Sequence, residues 1–291
     1  MANNIQLAEK FLPVIDDIYK AASVTQSWDA ETQNLNFSNA NTVNVLKVST
    51  TGLGDYSRTD GYPKGDVTAE FEPMRLTEER GKEISVDRMD NEEALGKVFG
   101  TVTGDFMKHH VIPELDAFRF AKYASTEGIL KGSAVLTADN LFEAIDQAVA
   151  EMDANEVPRE GRELCINTDL EPLISAGLSR RWGSDSRVST RLEEYNGMKI
   201  KYVVPSRFKS AITLNPGTDA WGFTAGEGAK NINFMIIYPK AVLQVTKFAM
   251  PKIFTPDENQ DKDAWKFQFR LYHDAFVYEN KAKGIYTHTA S

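Results

Sequence analysis

Thr42-Val43-Asn44-Val45-Leu46-Lys47-Val48 leads into Thr51-Gly52-Leu53-Gly54-Asp55-Tyr56-Ser57-Arg58-Thr59-Asp60-Gly61-Tyr62-Pro63-Lys64-Gly65-Asp66, and Val67-Thr68-Ala69-Glu70-Phe71-Glu72 follows. Two runs of strand-forming residues flank a centre holding four Gly and one Pro. This predicts a long β-hairpin, with Ile84-Ser85-Val86 as its continuation. Both faces of the first run are mixed. Thr42, Asn44 and Leu46 fall on one side; Val43, Val45 and Lys47 fall on the other. Neither face offers a continuous apolar stripe. An isolated two-stranded hairpin is marginal in water. The ribbon therefore needs a partner, either another subunit or a sheet of its own chain, and its residues leave both open.

On the N-terminal side, Ile5, Ala8, Phe11, Leu12, Ile15, Ile18, Tyr19 and Ala22 recur at helical spacing, with Pro13 as an interruption. A polar stretch from Ser23 to Asn41 follows, and together they read as an arm. On the C-terminal side, Asp90 and Glu93 stand in capping-box relation. A helical stripe then runs from Leu95 through Val98, Val102, Phe106, His110 and Phe118 to about Ser125. Gly96, Gly100 and Gly104 share one face, and Pro113 predicts a kink or break.

Thr137-Ala138-Asp139-Asn140 caps a second helix carried by Leu141, Phe142, Ile145, Ala148, Val149 and Met152. Leu164–Ile166 reads as a buried strand, 170–178 as a short helix and 180–191 as a loop. Further strands are expected at 198–204, 232–237, 242–248, 265–272 and 275–278. An acidic insert, Thr255-Pro256-Asp257-Glu258-Asn259-Gln260-Asp261-Lys262-Asp263, separates two of them. Helices and strands mix without regular alternation, which argues α+β rather than a doubly wound sheet.

The 291 residues carry a net charge of -9 and no Lys/Arg run, so the chain is not built to grip nucleic acid. Cys165 is the single cysteine, which excludes an intrachain disulfide; it lies in an apolar run and reads as a buried small side chain. The first residues lack a charged and an apolar region, so no signal peptide is expected, and no uncharged stretch is long enough to span a bilayer.

Catalytic signatures are missing. His110 and Glu114 share a helical face, but Pro113 lies between them and no His-Glu-x-x-His pattern occurs. Gly52-Leu53-Gly54 and Gly226-Glu227-Gly228-Ala229-Lys230 read as turns rather than phosphate loops. Asp87, Asp90, Glu92 and Glu93 favour a helix N-terminus electrostatically. Arg180, Arg181, Arg187 and Arg191 form a basic patch read as a subunit contact. No catalytic residue, metal or cofactor is expected, and the chain is not read as an enzyme.

Gly52–Arg58 with Gly61-Tyr62, the segment Arg80-Gly81-Lys82-Glu83-Ile84-Ser85-Val86-Asp87-Arg88-Met89-Asp90, and the closing Phe269-Arg270-Leu271-Tyr272-His273-Asp274-Ala275-Phe276-Val277-Tyr278 with Gly284-Ile285-Tyr286 resemble the major capsid proteins of tailed bacteriophages. The resemblance runs over nearly the whole chain. It implies the α+β, HK-ninety-seven-like fold: an N-terminal arm (1–40), an extended hairpin loop (41–88), and a spine helix (89–126) in a peripheral domain that returns at 241–279. An axial domain would take 127–240 and the last strand, 280–291. It further implies hexamers and pentamers in an icosahedral shell around double-stranded DNA, with the hairpin lying on a neighbour. A separate scaffold, a portal and decoration proteins would be partners, with no membrane, and the shell would be assembled in the host bacterial cytoplasm and end in the virion. Some relatives link subunits through Lys–Asn isopeptide bonds; Lys64 and Asn259 are the nearest candidates here.

The opposite charge of two loops suggests a noncovalent contact between subunits: Arg58 and Lys64 of the hairpin against Asp257, Glu258, Asp261 and Asp263 of a neighbour's insert. The alternative assembly is an encapsulin-type protein nanocompartment, which shares the fold but packages protein. A phage tail tube and a metal protein using His110 and Glu114 are further alternatives.

Overall fold

A computed structural model describes residues 23–29, 37–39, 42–59, 61–62, 64–89, 98–182, 191–249 and 252–291. Expectations for the helix at 5–22, the Asp90–Glu93 cap, Gly96 and Arg187 lie outside these residues.

The strands are β1 (Phe37–Asn39), β2 (Thr42–Thr50), β3 (Val67–Arg75), β4 (Glu78–Asp87), β5 (Leu130–Ser133), β6 (Glu163–Asn167), β7 (Glu194–Tyr195) and β8 (Met198–Val203). They continue as β9 (Ile212–Leu214), β10 (Phe223–Ala225), β11 (Ile232–Ile237), β12 (Val242–Ala249), β13 (Lys252–Phe254), β14 (Ala264–Val277) and β15 (Ile285–Thr289). The α-helices are α1 (Val98–Phe106), α2 (Ile112–Ser125), α3 (Leu141–Ala154) and α4 (Glu171–Trp182).

Two larger sheets organise the molecule. One has six strands in the order β5-β15-β11-β6-β8-β7, with β5–β15 and β6–β8 parallel and the other pairs antiparallel. It is buried on both faces. Leu164, Ile166, Phe234 and Ile236 pack with α3, while Cys165, Met235 and Ile237 pack with Phe120 and Tyr123 of α2. Two covered faces explain why β6 and β11 are nearly continuous apolar runs.

The other sheet is built around β14. β12 and β13 pair with one edge, and β4 pairs with the other from Ala264↔Asp87 to His273↔Glu78. Residues expected as two strands, 265–272 and 275–278, are therefore one strand of 14 residues. The polar His273-Asp274 between them is buried inside it. Residues 84–86, expected to continue the hairpin, belong to this sheet instead.

Helix α2 lies between the sheets, so it is buried nearly all round, charged Asp116 and Arg119 included. Pro113 does not break the helix. The π-helical turn Met107–Val111 joins α1 to α2 and leaves Pro113 in the first turn of α2. That position tolerates a residue without an N–H, and the wider turn relieves the clash that proline makes with the carbonyl four residues earlier. Asn140 precedes α3 without capping it through its side chain; its Oδ1 accepts from the Thr137 N–H at 2.7 Å and closes the turn before the helix. Arg180 and Arg181 fall in α4 rather than in a loop.

Two charges inside α2 anchor the chain's early segment. Asp116 is fully buried and accepts hydrogen bonds from Ser23 Oγ (2.8 Å), Thr25 Oγ1 (2.7 Å), the Val24 and Thr25 N–H groups (3.2 and 3.3 Å) and Arg207 Nη1 (3.4 Å). Arg119, also buried, donates to Thr25 Oγ1 at 2.8 Å and pairs with Asp29. Trp28 then enters the core edge-on to Phe120, with its indole N–H on Glu163 at 2.6 Å. The first part of the expected arm, 23–29, thus lies on its own body.

Removing a partner from a buried hydrogen-bonded charge set leaves donors and cations uncompensated, at a cost of about 3–5 kcal/mol. Asp116→Ala is expected to lower the stability of the unassembled subunit by about that much in denaturant unfolding. It should also open the backbone at 23–29 to limited proteolysis. An unchanged midpoint and cleavage pattern would contradict the anchoring role.

Candidate assembly surface

The hairpin β2–β3 is docked at its base, and among the described residues its outer part is exposed. Thr42 pairs with Arg75 and Thr50 with Val67 in one unbroken antiparallel register. At the base, Val43 is 1% exposed and packs with Met74, Leu76, Leu243 and Val245. The corner between β3 and β4 is fixed by Asp274, which accepts the Thr77 N–H and hydroxyl, both at 3.0 Å. Tyr272 O–H adds a bond to the Leu76 carbonyl at 3.1 Å, and Lys47 pairs with Glu279.

Farther out, Val67 is 70% exposed, Phe71 62% and Tyr62 85%, with Leu53, Tyr56 and Val48 also uncovered. Scattered apolar residues on a surface are ordinary; so many on one projecting ribbon mark a contact surface. Its tip is nevertheless shaped. Ser57 and Gly61 exchange backbone hydrogen bonds of 3.2 and 2.9 Å, Gly61 takes φ +83°, and the Tyr56 and Tyr62 rings stand 5.0 Å apart.

The charges expected to bind a neighbour are divided unevenly. Arg58 and Lys64 are exposed and make no ion pair among the described residues. The acidic insert is largely engaged within its own chain. Arg88 pairs with Asp257 (3.2 Å) and Asp263 (3.5 Å), Lys266 pairs with Asp261, and Glu258 accepts from the Thr255 N–H (3.1 Å) and hydroxyl (3.0 Å). Asn259 donates its amide to the Ala264 carbonyl at 2.9 Å and accepts from the Asp261 N–H at 3.2 Å, so its side chain shapes the insert.

Glu114, considered above with His110, is gripped by Arg80 instead, with Nε to Oε1 at 2.6 Å and Nη2 to Oε2 at 3.1 Å. Arg80 also donates to the carbonyls of Asn215 (2.8 Å) and Gly222 (3.4 Å). One guanidinium of β4 thereby ties α2 and the loop between β9 and β10 together. Arg191 lies 3.7 Å from Glu171 and over the Tyr202 ring at 4.7 Å. Cys165 is buried, and burial pushes its thiol up to about 12, which suits an inert core residue.

Sequence reading missed the 23–29 anchor and the Arg80 clamp. A signal for the first existed: Asp116 and Arg119 sit inside an apolar stretch of helix, and Trp28 stands in a polar one. Nothing local to Arg80 announces its three partners.

Solved structures share this architecture. The capsid of the cyanophage P-SCSP1u aligns with a TM-score of 0.64 at 13% identity, over 88% of this chain and 85% of that one. The mature capsid of bacteriophage PhiM1 gives 0.60 at 10% identity, over 87% and 82%. A virus-like particle from Pyrococcus furiosus gives 0.55 at 13% identity, over 96% and 98%. The fold is the α+β, HK-ninety-seven-like fold of tailed-phage capsid subunits. No protein-family model and no curated protein matches the chain.

On this capsid-type fold one buried histidine gives a pH signature. His273 packs edge-on to Phe118 at 5.0 Å, and burial, then Arg119 and Arg80, pull its pKa from 6.5 down to about 3. The unfolded chain takes up a proton below 6.5 that folded His273 refuses until about 3. Its contribution is therefore full above 6.5 and is lost as pH falls toward 3. Between pH 7 and 5 that amounts to about 2 kcal/mol. His273→Phe should flatten the acid dependence of the urea midpoint by about that much; an identical slope in both proteins would contradict it.

Proposed function

We propose that this chain is the shell-forming subunit, the major capsid protein, of a tailed bacteriophage. The observation that carries the reading is the hairpin: a shaped ribbon with an apolar tip that the described residues leave uncovered, on a fold shared with phage capsids. Fully burying one such side chain contributes about 1.5–3 kcal/mol. β1 pairs with β2 at the base, opposite Thr42 and Val43; for the two-stranded part beyond, a neighbour that covers several such side chains supplies what an isolated ribbon lacks.

In this reading the subunits form hexamers and pentamers that close into an icosahedral shell around double-stranded DNA. The net charge of -9 suits containment rather than grip. A separate scaffold, a portal and decoration proteins are the expected partners, and the assembled protein is a virion component. Its work is mechanical, with no catalytic step. Arg58 and Lys64 then meet a neighbour's insert around Asp257, Glu258, Asp261 and Asp263. Each exposed pair contributes less than about 1 kcal/mol, so the contact sets register through repetition across the shell.

A protein nanocompartment is the second reading, favoured by the near end-to-end match to the Pyrococcus furiosus virus-like particle. Negative-stain microscopy with mass measurement of the purified assembly is expected to give closed shells, and nuclease-protected DNA within particles from infected cells. Protein cargo without DNA would favour the nanocompartment; tubes or persistent monomers would overturn both. Lys64→Glu shells are expected to dissociate at lower salt than wild type, and unchanged salt resistance would remove the charge contact.

A further inference from the structure

A cavity of about 100 Å³ opens between the π-helical turn, the β4–β14 ladder and the loop between β9 and β10. Its walls are aromatic and aliphatic: Phe106, Leu115, Trp221 and Phe269. Lys82 stands at its rim, with Nζ 4.8 Å from the Trp221 ring centre and 5.6 Å from that of Phe106. The carboxylate in the lining, Glu114, is neutralised by Arg80, so the site is cationic. His273 also lines it. This side chain is 1% exposed, and its Nδ1 has no hydrogen-bond partner among the described residues. That nitrogen is itself closed off by its surroundings, so what the cavity offers an occupant is an aromatic and aliphatic slot beside a cation.

These features specify an occupant with an aromatic body and an adjacent negative charge. The hairpin tip carries that combination in Asp55-Tyr56, both exposed, with the Tyr62 ring backing Tyr56. Its own chain's tip is not the occupant. Nine extended residues carry the tip about 30 Å beyond the hairpin base. Arg80 is five residues from Arg75 at that base, hence within about 17 Å of it.

We propose that the cavity is the receptor for Tyr56 of a second copy of this chain. The proposal rests on the shell reading and names the contact within it. The Tyr56 ring enters the apolar slot lined by Phe106, Leu115, Trp221 and Phe269. Asp55 stays at the mouth with Lys82, where an opposite charge desolvated beside an aromatic wall is worth more than one in open water. The same pose is compatible with the charge contact above. Phe269 in the cavity wall and Ala264 beside the insert are five residues apart on β14, about 17 Å, a span open to a tip bearing long Arg58 and Lys64 side chains.

The test uses the full chain with two exposed positions changed to cysteine, Thr59→Cys at the tip and Thr218→Cys at the cavity rim. Tyr56, Trp221 and His273 stay intact, and Cys165 is buried and silent. A short bis-maleimide added to assembled particles is expected to give a ladder of covalent oligomers, lost when particles are dissociated first. A cross-linked monomer, or intact particles without a ladder, would overturn the proposal while leaving the shell reading standing. Failure of the wild-type chain to form any shell would instead remove the reading beneath it. A second readout avoids cysteine altogether. Tyr56→Ala and Trp221→Ala are each expected to lower the denaturant concentration at which particles dissociate, and the double variant to lose no more than the worse single one. Additive losses would show that the two residues do not meet.

Discussion

A ribbon of two strands has two faces and two edges, and one domain can rarely cover all four. Every larger feature of this chain answers that constraint. The base of the hairpin is fixed with care: Val43, Met74 and Leu76 are buried against β12, and Asp274 holds the corner at Thr77. Beyond the base the Lys47–Glu279 pair is the last tie to the body that the described residues show, and the outer half of the ribbon is exposed. The ribbon is thus stiffly aimed but thermodynamically unfinished, which is the state expected of an element whose burial is completed by another copy.

The stiffness comes from the strand that follows. β4 pairs with β14 along its whole length, and Arg80 in its middle binds α2 and the loop between β9 and β10. Helix α2 in turn carries Asp116 and Arg119, which hold the 23–29 segment. The hairpin, the long helix and the root of the N-terminal segment are therefore linked through Arg80 and Arg119 and the carboxylates of Glu114 and Asp116. Buried ion pairs add little net stability compared with apolar packing, but breaking one is costly, so they favour a single arrangement of the elements they join. For a subunit that must present several surfaces in fixed relation, that trade is useful.

Much of this was legible in the residues. The Gly-rich centre between two strand-forming runs gave the hairpin, and apolar periodicity gave α3, β6 and β11, because these elements are set by local pattern. Errors arose where a distant partner overrode a local rule. His273-Asp274 looked like a strand break, yet Asp274 accepts from Thr77, His273 packs edge-on to Phe118, and the strand runs on. Pro113 looked like a helix end until the π-helical turn absorbed it. The intrachain pairs of the acidic insert were equally hidden, since Arg88 and Lys266, remote from it or beyond it in sequence, engage three of its carboxylates. The exposed apolar tip was visible as composition only; its isolation needed the three-dimensional base to be seen.

If the hairpin is completed by another copy, its backbone amides must change state on assembly. Hydrogen exchange of β2 and β3 measured on unassembled subunits and on closed particles tests this directly. The account predicts that amides from Lys47 to Thr50 and Val67 to Phe71 exchange rapidly in the subunit and slow by orders of magnitude in the particle, while those of β6 and β11 stay equally protected in both. Equal protection of the hairpin in the two states would contradict it.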